Sequence, residues 1–279
     1  MLASLLIVFR EVLEAGLVTG IVLAATQGVP HRTKWIGGGI ATGVAMACLL
    51  AVFAGVISDA LAGAGQEVFN STILIIAVGM LGWHQIWMAS HGREIAVQMR
   101  TLGEAVALGR KSLLAMAVVV AIAVLREGSE VVLFLYGVVV SSNEPAVSIV
   151  AGSLVGIAFG IAVACVLYRG LVAIPVAELF RVTGWLIALL AAGMAGQAAA
   201  ILAGADLIPS WGDQLWDTSR ILPDSSLVGR SLHALIGYAD RPRGVQVAAY
   251  LVVLIVLVGA GRLVQQRSAI RRKPAAMSR

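Results

Sequence analysis

Charge is scarce in this chain of 279 residues. Asp, Glu, Lys and Arg make up 13% of it, against roughly a quarter in a soluble domain. That shortage, with 59% hydrophobic residues and a mean hydropathy of +0.95, excludes a large water-soluble domain. Cysteine is almost absent. Cys48 and Cys165 both fall in apolar stretches, where the expectation is a small buried hydrophobe and not a disulfide; two thiols also make a poor metal site. There is no His-Glu-x-x-His string and no nucleophile–base constellation, so an intramembrane protease finds no support and the chain reads as a non-enzyme. Gly109-Arg110-Lys111-Ser112 looks like part of a phosphate loop, but the spacing is wrong and no strand precedes it, which excludes an ATP site. No basic segment precedes the first apolar run, so that run reads as an uncleaved span, not a signal peptide. The net charge of +5 comes from residues in short loops and the tail, a topology signal and not a nucleic-acid surface.

Against this apolar background stand two similar strings, Arg10-Glu11-Val12-Leu13-Glu14 and Arg126-Glu127-Gly128-Ser129-Glu130. Each lies within a long hydrophobic stretch. A charged side chain in a membrane helix costs about 2.5–3.5 kcal/mol on insertion scales. Six such charges, in the same order twice, mark a polar site within the bilayer.

Apolar windows of about 20 residues span a bilayer. The expected spans are 2–26, 35–57, 69–90, 112–140, 147–168, 181–203 and 245–264. The fold class is therefore all-α: a polytopic membrane protein with seven transmembrane helices. Alternate loops are basic, with Arg32 and Lys34, then Arg93, Arg100, Arg110 and Lys111, then Arg169 and Arg181, then a tail from Arg262 through Lys273 to Arg279. Asp59 and Glu67, and then Glu144, lie in the loops between. The positive-inside rule places the N-terminus outside and the C-terminus in the cytoplasm of a cell (plasma or inner) membrane. Trp35, Trp83, Trp87 and Trp185 fall toward the expected inner ends of their spans.

The strings occupy spans 1 and 4. Three spans separate equivalent positions, so the two copies run in opposite directions, the arithmetic of a 3+3 inverted repeat plus one extra helix. Gly39 and Gly43 match Gly152 and Gly156, and Glu67-Val68-Phe69 matches Glu178-Leu179-Phe180. The organisation expected is a first three-helix repeat (1–91), a cytoplasmic amphipathic connector (92–111), a second repeat (112–204), an external loop (205–244), and a seventh helix with a basic tail (245–279). Ile95, Met99, Leu102 and Val106 form the connector's apolar stripe. Glycines four apart allow close helix approach, here of spans 1, 2, 4 and 5.

On a helix, residues three and four apart share a face. Glu11 and Glu14 therefore lie together with Arg10 in reach, and so do Glu127, Glu130 and Arg126. Arginine stays charged in essentially any site and can hold a nearby carboxylate ionised. Two arginines and four glutamates sum to −2, a set that favours a cation. Carboxylate oxygen suits hard ions such as iron(III), manganese, magnesium or calcium. The competing reading is a pair of salt bridges that fix helix register; it leaves the surplus negative charge unexplained.

The strings resemble the Arg-Glu-Gly-Leu-Glu motifs of the oxidase-dependent iron permease family, of the fungal high-affinity iron permease and bacterial EfeU type. Arg10, Glu11, Leu13 and Glu14 match the first motif, with Val12 in place of glycine. Arg126, Glu127, Gly128 and Glu130 match the second, with Ser129 in place of leucine. Val12 adds bulk, and the packing of spans 1 and 2 is where it should be felt. Val182-Thr183-Gly184 and Ala191-Ala192-Gly193 resemble the family's sixth span; Leu215 to Ser219, Ser226 to Leu232 and Gly237-Tyr238 resemble its last external segment. The resemblance implies an iron-importing permease with Glu11, Glu14, Glu127 and Glu130 as the transit site, supported by Arg10 and Arg126. It implies iron as transported substrate, no tightly bound cofactor, and a periplasmic or extracellular oxidase or iron-delivery protein as partner. Glu67 and Asp217 are candidates for external capture. The alternative is a proton-coupled transporter of another divalent metal such as manganese. His84 and His91, seven apart with Met80 and Met88 near, read either as a soft-metal relay or as polar groups near the inner interface, His84 with a lesser part in releasing iron.

Overall fold

A computed structural model of the chain describes residues 1–60, 66–141, 145–170 and 176–272. Glu144, Lys273 and Arg279 lie outside the described residues. The chain folds as helices α1 (Leu2–Ala25), α2 (Arg32–Ala60), α3 (Gln66–Ala107), α4 (Leu113–Ser141), α5 (Ala146–Tyr168), α6 (Val176–Gly204), α7 (Leu227–Ile236) and α8 (Gly244–Arg272). Among the described residues there is no strand. The all-helical, membrane-embedded class expected from composition is therefore what the chain adopts.

Among the described residues, five stretches are long and apolar enough to cross a membrane: Arg32–Val56, Glu67–Met88, Ala146–Tyr168, Arg181–Gly204 and Gly244–Leu263. Their outer faces carry Leu49, Val52 and Phe53 on α2, Leu154 and Phe159 on α5, and Ile255 and Val256 on α8, all exposed. Large side chains facing outward around a bundle are what lipid contact requires. Helices α1 and α4 fall outside this set because each carries one Arg and two Glu in its middle. They lie inside the bundle, with Ile7, Leu13, Met116, Val120 and Phe134 fully buried.

Two packed layers hold the centre. Ala3 and Ile7 of α1 join Phe134 and Val138 of α4, together with Leu74 and Leu81 of α3 and Ile187 and Met194 of α6. At the other end Val22 of α1 joins Met116 and Val120 of α4, with Ile36 of α2 and Val106 of α3. The start of α1 thus lies beside the end of α4, and these two helices run antiparallel.

Helix α5 packs closely along α1, and α2 along α4, through glycines. A Cβ on Gly43 would meet the Ala121 carbonyl oxygen at 2.7 Å, and one on Gly156 would meet the Leu5 carbonyl oxygen at 2.7 Å. Backbones this close gain dispersion contacts that larger residues would forbid. The two interfaces share one register. Gly39 sits on Ala117 and Val120, and Gly43 on Ala121 and Val124; Gly152 sits on Met1 and Ser4, and Gly156 on Leu5 and Val8. These sets coincide when Arg10 is aligned with Arg126 and Gly39 with Gly152.

The same register corrects the expectation for Val12. Its side chain meets Gly160 of α5 and not span 2, while Gly128, its counterpart, meets Ala47 of α2. The bulk that one helix gains at this crossing is matched by glycine on its neighbour. Gly156→Leu should lower stability by about 1–3 kcal/mol or more, since overpacking forces backbone displacement; thermal unfolding in detergent reads this as a lower Tm.

Three further expectations change. The connector is helical but is not a separate helix: α3 continues unbroken to Ala107, and Leu102 and Val106 bury their stripe in the core at that end. It stops where Gly109 takes a φ of +69°, a conformation that side-chain-bearing residues disfavour. Cys48 and Cys165 are free thiols, as expected, but exposed on outer faces instead of buried. Finally, the 205–243 segment is an ordered cap. Ser226 caps α7 by accepting a hydrogen bond from the Gly229 amide at 2.9 Å, the Tyr238 hydroxyl donates to the Leu222 carbonyl at 2.8 Å, and His233 reaches the Ser141 carbonyl at the end of α4.

Candidate metal centre

The two strings meet where α1 and α4 cross. Glu11, Glu127 and Glu130 are buried there, and their oxygens lie with a nitrogen of His84 within 4.8 Å of one another. Two ligands on opposite sides of one ion stand about 4.2–4.8 Å apart, so the four atoms lie within the span of a single ion's coordination shell. When ionised, two carboxylates this close repel by about 3–4 kcal/mol at an effective dielectric of ~20. A cation between them removes that penalty.

The arginines sit beside this set unequally. Arg10 is 4% exposed, with Nη1 3.1 Å from Glu11 Oε1 and Nη2 2.8 Å from Glu14 Oε1. Arg126 is 38% exposed, with Nε 3.4 Å from Glu130 Oε1 and 3.8 Å from Glu127 Oε1. Its guanidinium lies 4.5 Å over the Trp87 ring, a cation–π contact. The i,i+4 pairings expected from spacing are therefore present in both strings.

Glu14 departs from its three companions. It is 3% exposed, but its carboxylate is taken by Arg10 and by His84, whose Nε2 lies 3.2 Å from Oε2. His84 Nδ1 lies 2.5 Å from Glu130 Oε2. The imidazole of α3 thus bridges one glutamate of each string.

From its place in the sequence His84 is expected among polar groups near the inner interface. It is instead 3% exposed at the centre. The relay with His91 is not assembled: His91 is exposed, bonds the Trp87 carbonyl and stacks on the Trp87 ring, and Met80 is 42% exposed. The available signal was one histidine inside an apolar span, where a polar group is costly.

The external candidates lie apart from the centre. Glu67 is exposed in the first turn of α3. Asp217 is held by the Ser219 amide and hydroxyl and by Arg241, whose Nε lies 3.2 Å from Oδ2. The Ser219 hydrogen bonds chiefly, aided by Arg241, pull its carboxyl down to about 2. Nearby Asp224 and Asp240 exchange hydrogen bonds with each other's amides, and burial pushes the Asp224 carboxyl up. A depressed acid contributes above its unfolded value of 3.8 and loses that contribution as pH falls toward 2. The fluorescence of neighbouring Trp216 should therefore change between about pH 4 and 2, and Asp217→Asn should remove that step.

Fold and site together define a multi-pass helical membrane protein with a cluster of acidic groups buried at its centre. The chain matches the model of the Iron permease FTR1 family over residues 1–270, and it belongs to that family. It is similar to the protein named "Ferrous iron permease EfeU" of Yersinia pestis, 29% identical over 260 residues, covering 91% of each chain. The protein of the same name from Escherichia coli O6:H1 is 29% identical over 262 residues, 91% of this chain and 93% of its own. No solved structure matches significantly. Family and relatives are transporters and not enzymes, and they do not favour the manganese alternative.

Proposed function

We propose that this chain imports iron through the crossing of α1 and α4. Glu11, Glu127 and Glu130 would hold the ion, and Glu14 would take part in its transit by leaving Arg10 and His84 for the ion. Arg10 and Arg126 keep the carboxylates charged and aimed. The observation that carries the reading is the convergence of buried acidic groups from both strings on a space one ion can bridge. The name of the relatives supports the ferrous ion as cargo.

The shared register of the α1–α5 and α2–α4 contacts, with α1 and α4 antiparallel, supports a 3+3 inverted repeat in which α1 and α4 also cross the bilayer, making seven spans with α8. The basic residues support the orientation. Arg32, Lys34, Arg100, Arg110 and Lys111 belong to the end where α1 and α3 finish and α2 and α4 begin, which the positive-inside rule assigns to the cytoplasm. The capping segment around α7 belongs to the opposite end. A periplasmic or extracellular oxidase or iron-delivery protein would present iron at that cap, with Glu67 and Asp217 as secondary contacts.

Purified protein in liposomes should admit iron(II) supplied under anaerobic conditions. The Glu127→Ala, Glu130→Ala double variant, still monodisperse in detergent, should admit none above empty liposomes. Iron entry at the unmodified rate in that variant would overturn the proposal. An equal excess of manganese should leave iron entry nearly unchanged; manganese entering in preference would move the cargo to another divalent ion.

A further inference from the structure

Resting on that reading, we propose that His84 is a direct nitrogen ligand to the transported ion and the residue that selects it over calcium and magnesium. His84 belongs to neither charged string; α3 delivers it, about one helix turn before Trp87, between Glu14 and Glu130.

Buried polar groups at the crossing lack partners. Glu11 Oε2 and Glu127 Oε2 are buried without a hydrogen-bond partner, while His84 Nδ1 and Glu130 Oε2 are buried against each other. Each of these four residues offers one ligand atom to a cluster in which all lie within 4.8 Å of one another. A single buried polar atom without a partner costs about 1–3 kcal/mol. Two such oxygens, on α1 and α4, beside a carboxylate–imidazole pair on α4 and α3, point to a shared partner that accepts lone pairs from oxygen and nitrogen alike.

The chemistry of the fourth donor then decides the ion. Three carboxylates alone hold calcium or magnesium as readily as a transition metal, because all are oxygen donors. Imidazole suits iron, zinc, nickel and copper, whereas calcium, magnesium and manganese prefer carboxylate, carbonyl and water. One nitrogen added to three carboxylates therefore tilts the site toward iron(II). His84 is also distinct from the other histidines in position. His31 and His91 are exposed, and His233 sits on α7 with both ring nitrogens against carbonyls.

The position is also held firmly. Next to His84, Gln85 Nε2 donates to the Gly184 carbonyl of α6 at 2.7 Å, and Leu81, one turn earlier, is fully buried. Helix α3 is thus fixed against α6 on the turn that carries the imidazole.

The test uses the full-length protein in detergent, with manganese(II) as a paramagnetic probe. Electron spin-echo modulation of the bound ion should show a directly coordinated imidazole nitrogen. His84→Gln keeps a polar side chain of similar reach but offers oxygen; it should abolish the nitrogen signal while manganese, which oxygen donors suit, stays bound. In liposomes, a hundredfold excess of calcium should leave iron(II) entry unchanged for the unmodified protein and suppress it for His84→Gln. His84→Asn serves if the first variant fails to fold. Manganese bound to the unmodified protein, lost in Glu127→Ala, but without a nitrogen signal would overturn the role of His84 and leave the carboxylate reading intact. No manganese binding to the unmodified protein would overturn both. Unchanged selectivity against calcium in a folded His84→Gln variant would overturn the assignment of selectivity.

Discussion

Glu11→Gln and Glu127→Gln should each cut iron(II) entry into liposomes by at least about 100-fold, the upper range found when a supporting partner of a metal site is removed. The substitution is nearly isosteric, so packing at the crossing survives. What is lost is one negative charge within 4.8 Å of the remaining donors. In a buried site that charge offsets the dehydration of the entering ion, and an amide oxygen supplies only a fraction of it. Glu14→Gln should lose less, about tenfold, because its carboxylate already neutralises Arg10 and contacts His84. The three variants measured side by side check the geometry as well as the chemistry. An equal loss in all three, or a greater loss at Glu14, would contradict the proposed arrangement of three carboxylates and one imidazole around the ion.

Arg10→Met should destabilise the folded protein by about 3–5 kcal/mol, the usual cost of leaving a buried charge without its partner. Arg10 is 4% exposed and touches both Glu11 and Glu14, so its removal takes the contacting guanidinium from two buried carboxylates and leaves Glu14 against His84. Arg126→Met should cost clearly less. Arg126 is 38% exposed, and its contacts to Glu130 and Glu127 are longer, 3.4 and 3.8 Å. Urea or thermal unfolding in detergent gives the comparison directly. The two arginines occupy equivalent places in the two strings, so the difference measures burial and not sequence context. A larger loss from Arg126→Met would mean that the α1 half of the site is open to water and the α4 half closed.

Much of this was legible from the order of residues. Arg10 and Glu14, like Arg126 and Glu130, had to pair because residues four apart face one another on a helix. The glycines of spans 2 and 5 had to mark close crossings because a Cβ would collide there. The identity of the crossing partners was not legible. Val12 meets Gly160 and Gly128 meets Ala47, and no local pattern links positions so far apart in the chain. His84 was seen but misplaced for the same reason. A single histidine has no periodicity, and its depth in the bundle depends on where α3 crosses α1 and α4.

The sequence alone determined that this is a helical membrane protein with two antiparallel charged strings, because hydropathy, loop charge and helical spacing act over a few residues at a time. Only the tertiary structure decided that Glu11, Glu127 and Glu130 converge with His84 while Glu14 turns to Arg10. That choice depends on the register and rotation of three helices packed against one another, set by contacts between residues about a hundred positions apart.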